Sequence, residues 1–313
     1  MLFFVLRRVI ATIPVMAAVA VIVFLMLRLA PGDPVANLVG DSATAEDVAR
    51  IRAQIGLNDS IFVQFTRWIG RILQGDFGES YFMKQSVLTL IGQRIAPTLS
   101  LSILTIVLTV SIAVPLGAVA AWRHGGWLDR SLMGFSVMGF SIPSFVIGYC
   151  MIWLFSMQWR LFPVQGYVPF GTDPVGWFSH LVLPTVTLSI IYVALIARVT
   201  RAAVSEALTE DYIRTARSKG VSEIRVLVRH ALANSAVQIV TIVGVGVAIL
   251  IGGVVVTETV FAIPGLGQLT VDAVLSRDFP LIQGITLLFS IVYVLINLLV
   301  DISYLIFDPR IRY

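Results

Sequence analysis

Charge and cysteine are what this 313-residue chain has least of. Asp, Glu, Lys and Arg make up 13% of it, about half the share found in soluble domains. Hydrophobic residues make up 58%. That balance excludes a chain living mainly in water, and its length is better counted in membrane spans of about 20 residues each. The single cysteine, Cys150, lies in an apolar run, which excludes an internal disulfide and makes it a small core residue by expectation. His124, His180 and His230 are far apart and give no metal-ligand spacing. No G-x-x-x-x-G-K-S/T run occurs, so the chain lacks a phosphate cradle of its own. The net charge is only +4, and the basic residues are scattered among loops, so no continuous face is offered to nucleic acid. No residue has catalytic credentials, and the chain is read as no enzyme.

Six apolar segments are long enough to span: Val9–Ala30, Leu99–Ala121, Leu132–Met157, Leu181–Ala197, Ala236–Val256 and Leu281–Val300. The expected fold class is all-α, a polytopic membrane protein with six transmembrane helices. Arg7 and Arg8 precede the first segment, which is too long for the apolar stretch of a signal peptide. Pro115, Pro143, Pro184 and the glycines from Gly244 to Gly253 read singly as kinks and close packing within spans. Arg7, Arg8, Arg123, Arg130, the series Arg198 to Arg229, Arg310 and Arg312 fall on one side, against Arg160 and Arg277 in the short loops opposite. The positive-inside rule then predicts an inner-membrane protein with both termini cytoplasmic.

Residues 31–97 divide the first span (1–30) from the main membrane domain (98–313) and read as a small helical extracytoplasmic insertion. Thr44 with Asp47 predicts a helix start and Gly56 a stop. A second helix is expected from Asn58 or Asp59 through Phe62, Phe65, Ile69 and Leu73, ending at Gly75.

The loop Arg198–Asn234 is too patterned to be a simple connector. Ile213, Ala216, Gly220, Ile224, Leu227 and Ala231 recur at helical spacing among arginines, which predicts an amphipathic helical pair. Gly220 can close the first helix, and Ser222 with Glu223 can open the second. Two uses stay open from the residues alone: docking into a partner's groove, or lying on anionic membrane lipid.

The run Glu210, Asp211, Tyr212, Ile213, Arg214, Thr215, Ala216, Arg217, Ser218, Lys219, Gly220, continuing to Arg229-His230-Ala231-Leu232, resembles the EAA loop of importer-type ABC permeases. Its form is that of the dipeptide/oligopeptide/nickel and glutathione-type family, in its first-permease variety. Arg214-Thr215-Ala216 stands in the place of Glu-Ala-Ala. The similarity extends over Pro31-Gly32-Asp33-Pro34, Gly75-Asp76-Phe77-Gly78, Glu258-Thr259-Val260-Phe261, Pro264-Gly265-Leu266-Gly267 and Asp308-Pro309-Arg310. Gln238 departs from it where many members carry proline.

What the resemblance implies is a permease subunit of an ATP-driven importer of dipeptides, oligopeptides or related solutes such as nickel chelates or glutathione. Its partners would be a second homologous permease, two ATP-binding subunits that carry ATP and magnesium, an extracytoplasmic solute-binding protein and membrane lipid. Residues 210–220 would be the coupling helix, with Ile213, Ala216 and Gly220 as its docking face. The alternative is an ion-coupled secondary transporter or a channel-like subunit. It is weakened because Arg28, Glu258 and Asp301 sit near span ends rather than at the midplane, and none pairs as an acid and base.

Overall fold

The computed structural model describes residues 2–29, 46 and 58–307. Apart from residue 46, which is helical, the expected helix from Thr44 to Gly56 lies outside the described residues, as do the motifs at 31–34 and 308–310. Among those described there are helices and one isolated bridge, Glu79 to Ser86, but no strand.

In chain order the helices are α1 (Leu2–Leu29), α2 (Ile61–Leu73), α3 (Val87–Trp122), α4 (Trp127–Ser141) and α5 (Ser144–Met151, continued by a π-helical turn Ile152–Gln158). Then follow α6 (Pro174–Ala207), α7 (Asp211–Ser218), α8 (Glu223–Arg225, continued by a second π-helical turn Val226–Leu232), α9 (Ala236–Val260), α10 (Leu266–Leu275) and α11 (Phe279–Phe307). Among the described residues five helices are long and apolar enough to cross a membrane, and six if the bent pair α4–α5 is one span. That pair is the third predicted segment, broken sharply rather than continuous. The reason is Pro143: α4 stops at Ser141, Ile142 is extended (ψ 121°), and Pro143 opens the next helix.

Helix α3 begins at Val87, twelve residues before the predicted span. Its 36 residues rise about 54 Å, well beyond the roughly 30 Å of hydrocarbon. Helix α6 likewise runs on to Ala207, so the first ten residues of the expected loop are helix. Asp173 caps its start by accepting the Val175 N–H (3.0 Å), and Pro174 takes the first-turn position that needs no donor. Cys150 is exposed on α5 rather than a core residue, because α5 turns Ile147 and Gly148 inward instead.

The described residues form two compact units. One comprises Ala96–Gln268 and α11 from Leu295 on. Its central element is α6, against which α4, α5 and α9 pack. Small residues make the closest crossings: a Cβ on Gly117 would lie 2.5 Å from the Ala197 carbonyl, and one on Gly139 would lie 2.9 Å from the Ala194 Cβ.

The other unit comprises α1, the residues up to Ile95, and Leu269–Val294. Here α2 starts two residues later than expected, with Ser60 as its cap. Phe65 and Trp68 stack on buried Phe24 of α1 at 5.1 and 5.5 Å, while Phe62 and Leu73 stay exposed. Gly75 and Gly78 take left-handed conformations (φ +83° and +85°) in the turn that follows. Asp278 organises that turn: its buried carboxylate accepts the Ser80 hydroxyl and the Tyr81 and Phe82 amides. Burial, and secondarily the charge of Asp278, push the Tyr81 phenol up from its ordinary pKa.

Candidate functional site

The arm between α6 and α9 covers the residues singled out in the sequence. Glu210 enters α7 in an extended conformation and Asp211 occupies the first turn, where a carboxylate suits the helix dipole. The helix closes as expected at Gly220 (φ +78°), with Gly220 N–H bonded to Arg217 O (2.9 Å) and Val221 N–H to Ala216 O (3.2 Å). These are the two bonds of a Schellman ending, which needs a residue without a Cβ penalty at that point. Ser222 then opens α8, although its side chain makes no capping bond.

Ile213 is fully buried and Ala216 is 9% exposed, but what covers them is this chain itself. They pack with Ala118 and Ala121 from the end of α3, Val204 and Ala207 from the end of α6, and Val226 and Ala231 from the π turn. Ile213 and Ala216 of the expected docking face therefore point inward, and only Gly220 is exposed. An apolar stripe identifies the side that is buried, but not the molecule that buries it. The outward face carries Asp211, Tyr212, Arg214, Thr215, Ser218 and Lys219, all exposed, with Glu210 and Gly220 exposed at the ends. Ile224, placed on the stripe by helical spacing, is 69% exposed. The π turn beyond it shifts the phase, so buried Val226, Leu227 and Ala231 form the inner side instead.

Polar contacts hold the arm in place. Arg217 meets Glu223 through two bonds across the Gly220 turn, Nε to Oε1 (3.0 Å) and Nη2 to Oε2 (3.1 Å). The Arg217 guanidinium holds the Glu223 carboxyl below its ordinary pKa. Partial burial, and secondarily the nearby Glu210 charge, raise the Tyr212 phenol pKa. A few residues up α6, Arg201 makes a two-pronged ion pair with Asp129 of α4, both distances 2.8 Å, and its Nη2 lies 2.9 Å from His124 Nδ1.

At the far end of α9, Glu258 is wholly buried. Its Oε1 accepts the Thr98 hydroxyl (2.6 Å), and its Oε2 accepts the Gly267 (2.7 Å) and Gln268 (3.1 Å) amides at the start of α10. Thr98 in turn accepts the Leu266 N–H (2.8 Å). A Cβ on Gly265 would run into this carboxyl group, and one on Gly267 would lie 2.5 Å from Val255 Cα. The Pro-Gly-Leu-Gly run is thus the wall that lets α10 approach a buried acid. Hydrogen bonds from Thr98, Gly267 and Gln268 thus tie Glu258 to α3 and to the start of α10. Among the described residues no three His, Cys, Asp or Glu side chains are grouped as a metal would need.

Residues 113–313 match the family described as the binding-protein-dependent transport system inner membrane component, and residues 1–102 match its N-terminal counterpart. The chain belongs to this family. The "Probable peptide ABC transporter permease protein y4tP" of Sinorhizobium fredii is 53% identical over 99% of both chains. The "Glutathione transport system permease protein GsiC" of Salmonella typhi is 41% identical over the whole of both. The fold is similar to that of the MetNI methionine ABC transporter in an inward-facing form, with a TM-score of 0.57 at 18% identity, covering 71% of this chain and 97% of that one. The transport component is accordingly a multi-pass inner-membrane permease.

Several polar residues of this permease escaped the sequence reading. Asp129 and Arg201 are 72 positions apart, as Ser80 and Asp278 are 198 apart, and no local spacing signals either pair. Thr105 and Thr109, whose buried hydroxyls lack partners, line a shallow groove with Tyr192 and Gly246. Threonine in an apolar run reads only as a helix residue, so that groove had no signal at all.

Proposed function

We propose that this chain is the permease subunit of an ATP-driven importer of peptides or peptide-like solutes, with the outward face of α7 as its dock for a separate ATP-binding subunit. The observation that carries the reading is the division of labour on α7. Its apolar side is used up inside the chain, while Tyr212, Arg214, Thr215, Ser218 and Lys219 project from a cap that no span needs. A helix resting on lipid would turn its apolar side outward instead. ATP and magnesium belong to the partner subunits, and a second homologous permease would complete the pathway.

The full-length likeness to permeases named for peptides and for glutathione supports substrates with a peptide backbone. Nickel chelates are the next alternative. A separate extracytoplasmic binding protein selects among them. The arginine distribution supports both termini and the arm on the cytoplasmic side, with α4 and α5 together making the sixth crossing.

The test is co-purification with the ATP-binding subunits and uptake in vesicles. Arg214→Glu together with Lys219→Glu should abolish both while leaving membrane insertion intact. Capture and uptake at wild-type levels would refute the dock. Ser218→Cys should resist impermeant thiol reagents in intact cells, and its labelling from outside would refute the orientation.

A further inference from the structure

We infer that the Asp129–Arg201 ion pair is the joint that makes the arm-side ends of α3, α4 and α6 move as one body with the arm, which makes both side chains positioning residues for transport. The inference rests on the importer reading above and adds to it a route for the stroke within this chain.

Three observations place the joint. The pair itself is enclosed: the Asp129 side chain is 6% exposed and that of Arg201 20%. Both carboxylate oxygens are engaged by the guanidinium, and Oδ2 also accepts the Gly125 N–H (2.9 Å). The helices meet closely around it. The Ala197 carbonyl and Thr200 of α6 face Gly117 of α3, where a Cβ would be 2.5 and 2.8 Å away, and the Ser136 hydroxyl of α4 donates to the Ala194 carbonyl (3.1 Å). The arm begins at once beyond it, since Val204 and Ala207 on the same helix pack on Ile213 and Ala216 of α7.

A second route returns to the same point. Ile213 and Ala216 of α7 pack in one cluster with Ala118 and Ala121 at the end of α3, and the short turn after Trp122 leads through Gly125, whose N–H bonds Asp129. Arm and helix ends are therefore joined into a closed loop, with Asp129–Arg201 between α4 and α6 on the side away from α7.

The chemistry suits a joint better than a source of stability. Small-residue crossings let helices approach closely but do not fix their direction, whereas a planar two-pronged guanidinium–carboxylate contact does. An enclosed ion pair recovers little net stability over an uncharged pair of similar volume, and its best-attested use is to select one arrangement among several. Arg201 and Asp129 hold the α4–α6 register where the arm would push on it.

The experiment uses the assembled complex in vesicles, reading solute uptake per ATP hydrolysed with and without loaded binding protein. A wild-type complex whose hydrolysis ignores the loaded binding protein refutes the importer reading itself, before any variant is compared. Asp129→Asn and the double variant Asp129→Asn with Arg201→Gln are then measured. The double variant removes both charges together and leaves neither stranded, so it should assemble. Both variants should keep basal hydrolysis and lose about tenfold in uptake per ATP, within the usual span of coupling between two sites. Ser136→Ala, which loosens the same seam without touching the pair, should keep the wild-type ratio. A double variant with the wild-type ratio overturns the inference. So does one that fails to assemble or loses hydrolysis and uptake in parallel, and so does the same uncoupling in Ser136→Ala.

Discussion

Replacing Glu258 should separate the role of its shape from that of its acceptors. The Thr98 hydroxyl donates to one oxygen of this carboxyl group, and the Gly267 and Gln268 amides to the other. Glu258→Gln keeps the size and one oxygen. The amide will turn that oxygen toward the two backbone donors, so that only the Thr98 bond is lost, at about 1 kcal/mol. Glu258→Ala strands these three donors at a wholly buried position. At about 1–3 kcal/mol for each buried unsatisfied group, with partial relaxation, the loss is about 3–5 kcal/mol. Thermal unfolding of the purified permease in detergent, followed by loss of the monodisperse peak, should rank wild type above Gln and Gln well above Ala. Equal melting of the Gln and Ala variants would mean that side-chain volume, not the donors, holds α10. An Ala variant as stable as wild type would refute the reasoning altogether.

Gly117→Ala should force α3 away from the Ala197 carbonyl and destabilise by about 1–3 kcal/mol, as overpacking does; Gly134→Ala, whose Cβ meets nothing within 4 Å, is the control in the same unfolding assay. Asp278→Ala should free the turn around Ser80, seen as faster proteolysis within residues 75–86, because a buried hydroxyl and two amides lose their acceptor. The Glu223 carboxyl has a folded pKa below its unfolded one, so its support for the arm is present above the unfolded value and fades as pH falls through the folded value. Amide protection in residues 211–225, taken relative to the intrinsic exchange rate at each pH, should therefore fall on acidification, and Glu223→Gln should flatten that dependence.

Much of the fold is legible because the signals are local. Length and hydropathy mark α1, α6, α9 and α11, and the Gly220 stop is a matter of one residue's φ. The early start of α3 was hidden because Val87–Ala96 is mixed in polarity, and hydropathy reports lipid rather than helix. The break at Pro143 looked like one more kink, since proline alone does not say whether neighbours will restore the helix. The arm's residues were recognisable as a set, but which side faces out was not: Ile213 and Ala216 would read the same against a partner as against Ala118 and Ala121.

The π-helical turn Val226–Leu232 stands directly between the arm and α9. Such a turn amounts to one extra residue carried inside a helix, and removing one would restore ordinary winding while rotating everything before it by about 100° relative to everything after it. The arm would swing about the axis of that segment as a body, without any change in its own residues. The facing of the whole arm is thus set by a residue count, and a single-residue deletion between 226 and 232 is a harsher lesion than any one substitution there.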